Sequence, residues 1–95
     1  MKNKHEIINF LKENKSLLKQ KYNVTRIGLF GSYATGEQTV LSDIDIIVSM
    51  PSNFDNYYEL KEFLESNLNH KIDLGLEKNI RELIKENIQR EVIYV

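Results

Sequence analysis

The amino-acid pattern predicts an α/β domain of the α+β kind. It is a small mixed sheet of three or more strands packed with about four helices. Three observations predict it. Three short segments, 24–30, 43–50 and 71–76, have the length and β-branched content of strands. The stretches around them place apolar residues at helical spacing. Glycine and proline mark the breaks: Gly31 closes the first strand and Pro51 the second.

In chain order, residues 5–21 read as an amphipathic helix. Ile7, Leu11 and Leu18 form its stripe, flanked by Ile8 and Phe10, with lysines on the other face. Residues 1–21 hold six Lys and two Glu, a local charge of +4, which reads as a solvated face. After the first strand, residues 33–42 form a short helical turn and loop. Ser52 or Asn53 can cap a helix over 55–68, whose buried side draws on Tyr58, Leu60, Phe63, Leu64 and Leu68. A last helix is expected over 79–91. The apolar tail Val92-Ile93-Tyr94-Val95 fits a final helical turn, a short strand or a docking surface.

Composition narrows the function classes. The chain has 95 residues, 41% of them hydrophobic, which suits one domain spanning 1–95 with one modest core. Its net charge of −1 argues against a dedicated nucleic-acid binder. There is no Cys, which excludes disulfides, thiolate metal sites and a Cys nucleophile. No apolar run approaches the ~20 residues of a membrane span, and the N-terminus lacks a signal-peptide stretch. A soluble, cytoplasmic protein without a membrane partner is expected.

The scarce residues carry the chemistry. Three of the four glycines, Gly28, Gly31 and Gly36, fall close together, and Gly75 is the fourth. The four aspartates are Asp43, Asp45, Asp55 and Asp73. Side chains alternate along a strand, so Asp43 and Asp45 share a face while Ile44, Ile46 and Val48 take the other. Two carboxylates this close repel unless a cation lies between them, and a hard divalent ion with oxygen ligands suits them. The pattern is not a calcium loop, since Val48 stands at the sixth position where that loop needs glycine. A sugar-transferase D-x-D generally belongs to a much larger nucleotide-binding fold.

Gly31-Ser32 ends the first strand in a turn whose backbone N–H groups suit phosphate. An antiparallel pairing of the first two strands brings this turn beside the aspartates. Asp73, between Ile72 and Leu74, offers a third carboxylate away from the core, with Gly75 leaving space beside it. His5 and His70 read as surface residues. Tyr57, Tyr58 and Phe63 read as helix packing. Tyr33 fits either a nucleotide pocket or the core, and Ser42 orients the turn before Asp43.

Gly31-Ser32, ten intervening residues and Asp43-x-Asp45 together resemble the signature of the polymerase-β-like nucleotidyltransferase superfamily. The stretch GSYATGEQTVLSDIDIIV is similar to its minimal branch, the MNT or MntA-like proteins. KIDLG and the terminal REVIYV extend the resemblance over nearly the whole chain. The resemblance implies a nucleotidyltransferase-like fold and transfer of AMP from ATP to a hydroxyl. It assigns Asp43, Asp45 and Asp73 to Mg2+, with two ions expected, and Gly31 and Ser32 to the triphosphate. Asp73 would also help to activate the acceptor hydroxyl. One departure stands out: Ala34-Thr35-Gly36 occupies the place of an Ala-Arg-Gly common among relatives. Arg26 is one candidate for the missing cation.

A chain this short has room for the catalytic layer only, so another protein is expected to present the acceptor. MNT proteins pair with HEPN-domain toxins as antitoxins and adenylylate a tyrosine near the toxin's RNase site. The resemblance implies that role here. Two other functions fit the same residues: a non-catalytic antitoxin acting by contact, and a small-molecule adenylyltransferase of the aminoglycoside type.

Overall fold

The computed structural model describes residues 3–51, 53–80 and 92–95, with side chains left out of the description at 79 and 80. The elements run α1 (Lys4–Glu13), α2 (Lys15–Tyr22), β1 (Arg26–Phe30), α3 (Ser32–Thr35), β2 (Ile44–Ser49), α4 (Phe54–Leu68), β3 (Ile72–Leu76), a helical turn α5 (Glu77–Ile80) and β4 (Ile93–Tyr94). The expected last helix over 79–91 lies largely outside the described residues. No helix among them is long and apolar enough to cross a membrane.

The first predicted helix is two helices. Asn14 breaks it: its side chain donates from Nδ2 to the Phe10 carbonyl at 2.9 Å, and its backbone N–H bonds to the same oxygen at 3.1 Å. Asparagine competes for backbone partners in this way, which the apolar stripe of the sequence does not reveal. Asn3 caps α1 by accepting from Glu6 N–H, and Asn53 caps α4 by accepting from Asn56 N–H. Asn23 and Asn69 end α2 and α4 with φ of 60° and 50°, the left-handed geometry that lets a helix reverse into a strand.

Four strands form one mixed sheet in the order β3-β2-β1-β4. β1 pairs antiparallel with β2, placing Phe30 opposite Asp45. β2 and β3 are parallel, joined by the crossover α4, and place Asp45 opposite Asp73. The tail forms β4, antiparallel to β1, with Tyr94 opposite Gly28. Of the three fates the tail's composition allowed, pairing is the one adopted. Gly28 admits it, because a Cβ there would lie 2.7 Å from Val92 Cγ1.

Alternation gives the sheet two unlike faces. Ile27, Leu29, Ile44, Ile46, Val48, Ile72 and Leu74 point into the core with Ile7, Leu11, Leu18 and Tyr22 of the first two helices and Leu60, Leu64 and Leu68 of α4. Phe63 joins Phe10 and Tyr22 at ring distances of 6.1 and 6.2 Å. Phe30, Asp45, Ile47, Asp73 and Gly75 occupy the other face. Ile47 is buried there too, so that face is covered at its middle and acidic at one end. The outer edge of β3 is closed by side chains of α4. Glu65 accepts from Ile72 N–H at 3.1 Å, and Tyr57 donates to the Leu74 carbonyl at 2.5 Å.

Candidate active site

β2 and β3 begin at the end of the sheet where β1 finishes. That geometry gathers the Gly31-Ser32 turn, Asp43, Asp45 and Asp73 at one end. Asp45 is central, flanked by Phe30 on β1 and Asp73 on β3. Gly31 turns the chain at φ 73° and ψ −153°, and its Cα approaches the Asp45 carboxylate so closely that a Cβ would overlap it. Ser32 opens α3, and Ala34 and Thr35 donate back to the Gly31 carbonyl at 3.1 and 3.2 Å. These bonds hold the turn in one shape.

Asp45 and Asp73 behave as a coupled acidic pair. The Asp45 carboxyl is raised from the ordinary 3.8 to about 6. Burial is the main cause, followed by the charge of Asp73, a hydrogen bond with it, and last the charge of Asp43. A carboxyl held this way is short of positive charge, and a divalent ion would relieve it. Asp43 stands one residue before β2, with its Oδ2 3.9 Å from Lys71 Nζ. Among the described residues no three acidic, imidazole or thiolate side chains converge as a metal cluster. The geometry therefore offers a converged pair, Asp45 and Asp73, with Asp43 at its margin and leaning towards Lys71.

Other residues fall differently from their sequence reading. Tyr33 is fully buried, so it packs rather than lining an open pocket. Ser42 accepts from Thr39 N–H at 3.0 Å through its hydroxyl, which orders the turn before Asp43. Arg26 cannot replace the missing cation beside Gly31. It starts β1, about 13 Å along the strand from Phe30, where it pairs with Glu77 at 3.1 Å and stacks on the Tyr94 ring at 4.0 Å. Exposed Tyr58 packs its ring at a tilt of 56° against Phe54, centroids 4.7 Å apart, instead of filling the core. His70 is half-buried rather than a surface residue, and bonds to the Ser42 carbonyl. Its sequence context carries no signal for this, because the contact joins segments 28 residues apart.

Comparison with known proteins assigns a family to this mixed sheet with paired carboxylates beside a glycine turn. Residues 7–95 match the model of the Nucleotidyltransferase domain family, and the chain belongs to that family. A Methanocaldococcus jannaschii protein with the provisional name protein adenylyltransferase MJ1379 is 47% identical over the full length of both chains. A solved structure described as a minimal nucleotidyltransferase superposes with a TM-score of 0.82 at 26% identity, covering 97% of this chain and 95% of that one. A chain in the complex of tri-AMPylated Shewanella oneidensis HEPN toxin with MNT antitoxin matches at a TM-score of 0.59 and 26% identity. That match covers 97% of this chain and 67% of the other. The fold of this chain is thus that of the solved minimal nucleotidyltransferase.

Proposed function

We propose that this chain is the antitoxin of a toxin–antitoxin pair and transfers AMP from ATP to a tyrosine hydroxyl of a HEPN-domain toxin, silencing it. The observation that carries the reading is the register of Asp45 opposite Asp73, directly beside the Gly31 turn. The likeness to an MNT antitoxin bound to its AMPylated HEPN toxin supports the choice of acceptor.

In this reading Asp45 and Asp73, with Asp43 at the margin, would hold Mg2+, two ions in all. When bound, the metal supplies positive charge for the triphosphate and for the attacking and leaving oxygens. The chain's own residues do the rest. Backbone N–H groups of the Gly31-Ser32 turn receive phosphate oxygens. Asp73 faces the acceptor and orients its hydroxyl. The tyrosine hydroxyl gives its proton to the Asp73 carboxylate as its oxygen forms the new bond to the α-phosphorus, and the bond from that phosphorus to the β-phosphate oxygen breaks, releasing pyrophosphate. The site lies at the end of the sheet, where in this reading the second protein approaches, and the reaction is assigned to the cytoplasm.

The test is to incubate the chain with ATP, Mg2+ and its HEPN-domain partner and weigh the partner. Addition of one or more AMP units is expected, and none with Asp45→Asn. An unmodified partner beside an intact chain rejects the reading. Neutralisation that survives in Asp45→Asn would assign the effect to contact alone.

A further inference from the structure

His70 stands where three segments meet, and each carries part of the candidate site. It follows Asn69, the left-handed residue that ends α4, and precedes Lys71 and β3. Its Nε2 lies 2.6 Å from the carbonyl oxygen of Ser42, the residue before Asp43. The same nitrogen is 3.5 Å from the hydroxyl of Tyr33, the residue after Ser32. The two rings meet edge to face, with centroids 5.7 Å apart and planes at 74°.

The chemistry of the short contact assigns a proton. A carbonyl oxygen only accepts, so Nε2 carries the hydrogen and donates it to Ser42. Two residues further along, Ile44 N–H donates to the Lys71 carbonyl at 3.0 Å. The backbone of Asp43 is therefore anchored on both sides by consecutive residues, His70 before it and Lys71 after it. Tyr33, fully buried, presents the Gly31-Ser32 turn to the same imidazole. Removing the ring would free the Ser42 carbonyl and loosen the seat of Tyr33 together.

We propose that His70 is a positioning residue that holds Asp43 and the Gly31-Ser32 turn in register for nucleotide binding. This rests on the function proposed above, in which those residues receive metal and triphosphate.

The test compares His70→Met with His70→Gln. Methionine has similar length and no donor, whereas glutamine places an amide N–H near the position of Nε2. Binding of ATP in the presence of Mn2+ is measured calorimetrically on the isolated chain, beside thermal unfolding of the same samples. His70→Met is expected to bind about 10–100-fold more weakly, the usual effect of losing an outer-shell partner. His70→Gln should regain most of the affinity. Wild-type binding by His70→Met overturns the proposal, and so does His70→Gln binding as weakly as His70→Met. Should His70→Met fail to fold, His70→Gln decides alone: retained affinity supports the role and lost affinity overturns it. A wild-type chain that binds ATP and Mn2+ yet modifies no HEPN partner rejects the toxin as acceptor, while the two variants still decide the role of His70.

Discussion

The backbone of Gly31 lies against the side chain of Asp45 with no room between them: a Cβ at Gly31 would sit 3.0 Å from Asp45 Cγ and closer still to its Oδ2. The glycine also adopts φ 73°, a left-handed geometry that other residues take only with strain. Gly31→Ala is thus opposed twice. It should destabilise the chain by about 1–3 kcal/mol in urea unfolding, and it should abolish AMP transfer by displacing Asp45. An alanine variant with unchanged stability and activity would contradict this packing.

The raised Asp45 carboxyl predicts a pH dependence of stability. Unfolded, the group ionises near 3.8; folded, near 6. Between these values the folded chain binds more protons, so stability falls as pH rises through the interval and stays lower above it. In metal-free buffer at neutral pH, Asp45→Asn should exceed the wild type by about 1 kcal/mol, a figure reduced for the partial exposure of the group. The gap should narrow as pH falls through the interval and close only well below 3.8, where both states are protonated. Thermal unfolding across the pH range checks the sign.

Added Mg2+ should oppose that trend. An ion held by Asp45 and Asp73 only in the folded chain would stabilise it by about 2.7 kcal/mol at a hundredfold excess over Kd. The increase should be larger at pH 8 than at pH 5, and largely lost in Asp73→Asn. Equal stabilisation of the wild type and Asp73→Asn would place the ion elsewhere.

Gly28 tests the seat of the last strand. Any side chain there meets Val92, Tyr94 and the Ile93 carbonyl at 2.7, 3.0 and 3.2 Å. Gly28→Val should therefore detach β4 from β1. Amide hydrogen exchange is the measurement: the N–H of Val95, bonded to the Ile27 carbonyl at 3.1 Å, should lose its protection.

Tyr57→Phe should cost about 0.5–1.5 kcal/mol in urea unfolding, the worth of an ordinary hydrogen bond. It leaves the Leu74 carbonyl on the outer edge of β3 without its phenol donor. Burial pushes the Tyr57 phenol up, with Tyr58 and Asp73 adding to the shift, so the donating form persists into alkaline solution.

Much of the site was legible because its signals are local. Strand alternation put Asp45 and Asp73 on the face opposite Ile44, Ile46, Ile72 and Leu74, and Gly31-Ser32 announced a turn. These follow from the period of a strand and the freedom of a glycine, which need only neighbouring residues. Pairing needs distant ones, so the tertiary structure alone decided the parallel register that sets Asp45 against Asp73 and the capture of the tail beside Gly28. It also drew Asp43 towards Lys71 and brought His70 to the Ser42 carbonyl. Those contacts arise from packing α4 across the sheet so that its last turn meets the loop before β2, and no short window of sequence contains both partners.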